Sequence, residues 1–328
     1  PLAEVLAKTP DKEYGISIGA DSPVGSGTYI QTGGGKSVLL VEKASVMPFM
    51  NKSANDFRDK QILTLDERKI GKLRFQWKDS KFEVERKDGD WVGKDMPEYV
   101  EIDQARIQSI LKTFFNLKID NFENNEPDSL SNYGLNKPST QIQIFEDEKP
   151  TSVLFGKKKE DGVYYVKLAS GDSVYSVSEF VYRQVPENVN DVRVRKFVEI
   201  NTEEVNELEI KRERNAISIL KEGKGWKLAE DKDKKVDESK VYELLSKIEG
   251  LQVEKFIDDN PADLATYGLG KPEIKLTISE GDKKTTLLFG KKKDRKVYVK
   301  LAAEKSVYSV SNEIVSQISF SNEELIEK

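Results

Sequence analysis

The residues of this chain whose types and spacing bear on chemistry are lysines, aromatics and carboxylates in short blocks. Lys157, Lys158 and Lys159 follow a Leu-Phe-Gly turn, and Lys291, Lys292 and Lys293 follow an identical one. Near a bilayer such clusters attract anionic headgroups at roughly 1 kcal/mol per lysine. A lysine run at a strand end is more often a solvated hairpin tip that also protects edge strands. Tyr133 and Tyr267, with Trp91 and Trp226, offer an aromatic surface for a sugar or peptide. A Tyr just before a helix-ending Gly is more often a core plug whose hydroxyl reaches a partner.

Two acidic clusters, Glu123, Glu126 and Asp128, and Asp258, Asp259 and Asp263, flank a short predicted helix. Paired carboxylates do general acid–base work or bind calcium. Here they also suit the positive end of that helix, and the EF-hand spacing is absent. Thr32-Gly33-Gly34-Gly35-Lys36-Ser37 invites a phosphate-loop reading, but Ile30 stands where the pattern needs Gly. A strand-like Val38–Val41 follows instead of a helix, so this segment reads as a hairpin turn. Asn51-Lys52-Ser53 matches a glycosylation sequon by chance.

Composition narrows the chemistry. The chain has neither His nor Cys. That excludes Ser-His-Asp triads, Cys nucleophiles, disulfides, thiolate zinc sites and imidazole metal sites. With 14 Phe, 12 Tyr and 3 Trp it can build cores that a disordered chain cannot. A net charge of -5 lacks the basic surplus of a nucleic-acid binder. Its apolar runs are too short to span a bilayer as a helix. The chain begins at Pro1 without Met, so we expect a truncated or processed chain whose anchor or signal would not be visible.

The elements that hold these residues come in copies. Pro127–Pro138 reads P-D-S-L-S-N-Y-G-L-N-K-P, and Pro261–Pro272 reads P-A-D-L-A-T-Y-G-L-G-K-P. Tyr165-Val166-Lys167-Leu168-Ala169 matches Tyr298-Val299-Lys300-Leu301-Ala302, and Ser173–Ser178 matches Ser306–Ser311. About half the positions between Leu73–Val177 and Leu208–Val310 are identical, which is a duplication. A fainter partial copy places Ile18-Gly19 on Phe155-Gly156, Tyr29 on Tyr165 and Asn55–Arg58 on Asn190–Arg193. Ala20-Asp21-Ser22 replaces the lysine triplet there. We divide the chain into the second half of a unit at 1–66 and complete units at 67–200 and 201–328. Neither junction is a flexible linker, so the units are expected to pack end to end. The half unit is expected to pack on its neighbour or to be completed by further residues.

Within a unit, Leu73, Phe75 and Trp77 alternate and Phe82 and Val84 follow, which predicts a strand pair. Asp103 caps a helix carrying Ile107, Ile110, Leu111, Phe114 and Leu117, with Ile102 and Ile107 as a hydrophobic staple. Asp237 repeats the device. The P-x-x-L-x-x-Y-G-L-x-K-P block predicts a short helix with Pro127 or Pro261 in its first turn and Gly134 or Gly268 as its left-handed stop. Strands around Ile142, Leu154, Val166 and Val174 and a helix near Ser178–Gln184 complete an α+β unit: antiparallel β-hairpins with helices on one face.

The order of these blocks resembles the DUF4340 family of bacterial proteins, over about residues 14–328. The hairpin ending in Trp91 or Trp226, the Tyr-Gly-Leu block, the Leu-Phe-Gly turn, the Tyr-Val-Lys-Leu-Ala strand and the stretch Asn190–Lys196 carry it. The third unit departs from it, running from Ser311 through Phe320 to Lys328 without the basic end. The resemblance implies a membrane-anchored extracytoplasmic protein associated with gliding-motility-type ABC transporter components. It offers no established catalytic residues to carry over, and we expect no cofactor or metal. We therefore expect a non-enzymatic scaffold or accessory subunit with a protein partner in a membrane complex, no nucleic acid, and membrane contact through an N-terminal anchor. The alternatives are a glycan- or peptide-binding surface module and a carboxylate-only hydrolase. The hydrolase needs two acids in one pocket at roughly 5–9.5 Å.

Overall fold

The computed structural model describes residues 1–50, 52–223, 225–231, 234–318 and 322–326. The sequon at Asn51 and the stretch around Phe320 and Lys328 lie outside them. The chain forms two compact units, Pro1–Gly71 with Ile110–Val185, and Lys72–Ser109 with Pro186–Lys328. No described helix is long and apolar enough to cross a membrane.

The first strands are β1 (Ala3–Lys8), β2 (Glu13–Asp21), β3 (Gly27–Thr32) and β4 (Val38–Glu42), followed by the single turn α1 (Lys43–Val46). They form a four-stranded antiparallel meander in sequence order. The glycine-rich segment 33–37 is the turn between β3 and β4, with Gly34 at φ 80° and the Gly33 N–H donating to the Gly15 carbonyl. The Asp21 carboxylate ties this meander to α1 through Lys43.

Next come β5 (Ile70–Trp77), β6 (Ser80–Lys87) and β7 (Asp90–Gly93), then α2 (Gln104–Phe115), β8 (Asn121–Asn124), β9 (Thr140–Glu146), β10 (Lys149–Lys158), β11 (Tyr164–Leu168), β12 (Val174–Val177) and α3 (Glu179–Tyr182). The series then repeats: β13 (Val205–Arg212), β14 (Asn215–Glu222), β15 (Gly225–Leu228), α4 (Glu238–Glu249), β16 (Lys255–Asp258), β17 (Ile274–Glu280), β18 (Lys283–Lys293), β19 (Lys296–Leu301), β20 (Val307–Ser311) and α5 (Asn312–Gln317), closing with α6 (Asn322–Leu325). The strand orders β7-β6-β5-β9-β10-β11-β12-β8 and β15-β14-β13-β17-β18-β19-β20-β16 are one topology written twice. The fold is α+β, with antiparallel sheets.

Local chemistry explains the elements. Alternation buries Leu208 and Ile210 on β13 and Ile217 and Ile219 on β14. Against them α4 buries Val241, Leu244, Leu245 and Ile248 at helical spacing. Asp237 caps this helix by accepting from the Ser239 N–H at 3.0 Å, and Asp103 caps α2 by accepting from Arg106 N–H at 3.0 Å. Phe114 at the end of α2 meets Phe155 of β10 edge-on, ring centroids 6.5 Å apart.

The short helix of the Pro-to-Pro block needs a correction. It is a 3₁₀ turn at Leu130–Tyr133 and Ala265–Tyr267, and Pro127 and Pro261 lie before it rather than in its first turn. Polar side chains set its start. Ser129 accepts from the Ser131 N–H, and Asp263 accepts from the Ala265 N–H at 2.8 Å. Its stop is as expected, with Gly134 and Gly268 left-handed at φ 69° and 70°.

Candidate functional site

Among the described residues no group of three His, Cys, Asp or Glu side chains is placed to hold a metal ion. The blocks that repeat nonetheless meet at one place in each complete copy, where β8 or β16, the 3₁₀ turn, and the β10–β11 or β18–β19 hairpin come together.

In the first complete copy Tyr133 is half-buried, its ring edge-on to Tyr165 at 4.9 Å and its hydroxyl accepting from Asn124 Nδ2 at 3.2 Å. In the second, Tyr267 stands edge-on to Tyr298 at 5.2 Å and donates its hydroxyl to Asp258 at 3.1 Å. Burial, helped by Asp258, raises the Tyr267 phenol above its ordinary range. The Leu-Phe-Gly glycines are fixed by this packing. A Cβ at Gly156 would collide with the Tyr133 carbonyl oxygen, and one at Gly290 with that of Tyr267. Two motifs that are distant in sequence are therefore two sides of one contact. Trp91 and Trp226 lie in the cores, not beside these tyrosines on a surface.

The lysines diverge between copies. Lys157 is exposed, and Lys158 is exposed but paired to Glu179 at 3.0 Å. Lys159 is half-buried, pairs with Glu123 at 2.8 Å and lies 5.6 Å from the Tyr165 ring. The hydrogen bond to Glu123 raises its pKa above the usual lysine range. Lys291 donates to the Ala265 carbonyl at 3.1 Å, while Lys292 and Lys293 are exposed at the end of β18. Asp294 and Arg295, both at positive φ, then turn the chain into β19.

Four of the six residues in the acidic clusters are spent on separate tasks. Glu123 pairs with Lys159, Asp258 accepts from Tyr267, Asp259 pairs with Arg193 and Asp263 caps its turn. The structure also shows what the arginines of the end-of-unit stretch do, which the sequence alone did not reveal. Arg193 is only 3% exposed, lies 4.0 Å over the Phe256 ring, and forks onto Asp259 at 2.9 and 3.1 Å. Arg58 repeats this over Phe122 at 3.7 Å, bonding Asn125 at 3.0 Å. Each arginine also holds an Asn three residues before it, Asn55 or Asn190. The readable sign was an Asn-Asp-x-Arg segment that recurs each time about half a unit ahead of a Phe-x-Asn/Asp-Asn/Asp segment.

Cavities lie in the second compact unit. One, of ≈ 520 Å³, runs between Trp91 and the loop carrying Met96 and Glu98. Another, ≈ 180 Å³, is walled by Tyr99, Phe256 and Tyr308 with Glu101 and Glu304. Burial raises the Glu304 carboxyl above its ordinary range against the opposing Tyr308 hydrogen bond, and Glu101 adds repulsion. A third, ≈ 210 Å³, lies beside Lys255, Lys293 and Tyr298.

No curated protein and no solved structure matches this chain. A family model does, described as a domain of unknown function (DUF4340), over residues 1–126, 95–259 and 226–328. Three overlapping matches along one chain agree with the duplicated strand order and with the duplicated tyrosine–glycine contact. The chain therefore belongs to the DUF4340 family, whose domain it carries in tandem copies.

Proposed function

We propose that this chain is a non-enzymatic extracytoplasmic repeat protein acting as a scaffold or accessory subunit of a membrane transporter complex of the ABC type. The observation that carries the reading is the distribution of exposed apolar surface. Of the 16 large hydrophobic side chains exposed among the described residues, 12 lie between Leu2 and Phe57. Val38, Leu6 and Leu40 are 63%, 57% and 55% exposed. Concentrated apolar surface of this kind is characteristic of protein-contact sites. The polar side chains that recur between copies are, by contrast, engaged in internal pairs such as Arg193 with Asp259. Tyr133 and Tyr267 are likewise engaged internally, which lends the glycan-binding alternative less support.

The test is crosslinking of the full-length protein in its native membranes, followed by mass spectrometry. Recovery of permease or ATPase subunits, crosslinked through residues 2–57, is the expected result. Recovery of the protein alone, or with cell-wall material, overturns the reading.

A further inference from the structure

The two complete copies differ at one spot where their backbones correspond residue for residue. In the first, Asn121 of β8 pairs with Ser176 of β12, and in the second, Lys255 of β16 pairs with Ser309 of β20. The register then equates Glu123 with Ile257, and Lys159 with Lys293. In the first copy the polar groups satisfy one another. Asn121 Nδ2 donates to the Ser176 hydroxyl at 3.4 Å, and Lys159 pairs with Glu123 at 2.8 Å.

The second copy has lost both partners. Ile257 replaces the carboxylate, so no carboxylate among the described residues lies within ion-pairing distance of Lys293 or Lys255. Ser309, 2% exposed, keeps a hydroxyl without a hydrogen-bond partner among the described residues. A cavity of ≈ 210 Å³ opens there, lined by Lys255, Lys293, Lys296, Tyr298 and Ser309, with Ile257 and Asp294 completing the lining. Lys293 and Lys296 stand directly opposite each other across the β18–β19 ladder, and only Lys296 is neutralised, by Glu254 at 2.7 Å. Like charges opposed across a ladder repel, and an unpaired buried hydroxyl costs free energy. A bound anion with several oxygens relieves both, and two unpaired lysines outweigh the single Asp294.

The geometry points to this cavity as a binding site for a phosphate-type oxyanion, either free phosphate or a lipid phosphate headgroup, held by Lys255 and Lys293 with Ser309 and Tyr298 as neutral donors. The site is independent of any role in a transporter complex, because a phosphate titration reads it directly. Isothermal titration of inorganic phosphate into the whole chain is expected to show one saturable site that weakens with salt. Rebuilding the first copy's pairs with Ile257→Glu and Lys255→Asn should weaken binding about tenfold or more, as for lost charge-assisted bonds, with the thermal midpoint unchanged or higher. The single variant Lys293→Gln should weaken it too, so the test survives if the double variant folds poorly. The reciprocal pair Asn121→Lys and Glu123→Ile should add a second site. Sedimentation with phosphatidylglycerol vesicles, lost in the double variant, assigns the headgroup; phosphate binding without vesicle binding assigns the free ion. Absence of saturable phosphate binding, or binding unchanged in both the double variant and Lys293→Gln, overturns the proposal.

Discussion

Gly156 and Gly290 lie where the 3₁₀ turn's carbonyl presses on the hairpin, so the residue scale is set by contact rather than by turn conformation. Gly156→Ala or Gly290→Ala should each destabilise by about 1–3 kcal/mol through overpacking, read as a drop in the urea midpoint. Arg193 is a second fixed point. Its fork onto Asp259 and its stacking on Phe256 need a planar guanidinium. Arg193→Ala should therefore cost about 1.5–3 kcal/mol, and Arg193→Lys should recover little of it, both by urea unfolding. The sequence exposed the motif residues themselves, because identical blocks at a fixed spacing stand out. It hid their partners: nothing in the Leu-Phe-Gly turn names Tyr133, and nothing in Asn-Asp-Val-Arg names Phe256. Such pairings exist only once sheets bring distant segments together.

Elements were more legible where local signals agreed. Asp103 and Asp237 both precede apolar residues at helical spacing, and both cap twelve-residue helices. Asp103→Ala should cost about 1 kcal/mol in unfolding measurements, with the sheet strands unaltered. The Pro127 and Pro261 placement failed because Ser129 and Asp263 offer better caps two residues on, and a side-chain acceptor sets a start more firmly than a permitted proline. The β1–β4 meander is less buried than its counterparts. Ile16 is exposed, whereas Val153 and Leu287, at the same place in β10 and β18, are fully buried. Leu40→Lys should accordingly change stability by no more than about 0.5 kcal/mol while reducing crosslinking to partner subunits, checked by thermal melts and crosslinking in native membranes.

At the scale of the whole molecule, carboxylates dominate the pH response, because no His titrates between pH 5 and 8. Lys43 holds Asp21 below the ordinary carboxylate range, as Ser53 does Asp56, Arg68 does Asp66, Arg183 does Glu179 and Ser239 does Asp237. Each folded carboxyl binds its proton less tightly than the unfolded one. The stabilisation is therefore complete above the unfolded values and is lost as pH falls through the folded ones. Burial raises Asp120 and Glu304, whose contributions run the other way. The lowered groups outnumber them, so the melting temperature should be flat from about pH 6 to 9 and should fall below about pH 4.

Duplication was the feature most visible in the sequence, and it also exposes a place where the copies part in chemistry, at Glu123 and Ile257. Hydrogen exchange by mass spectrometry, with and without phosphate, tests most directly that one unit has been built twice and opened in one copy. Matching protection is expected for β9–β12 and β17–β20, with phosphate slowing exchange only around Lys255–Ile257, Lys293–Tyr298 and Ser309. Unlike protection of the two strand sets, or a phosphate effect at Asn121–Glu123 and Lys159 instead, would contradict it.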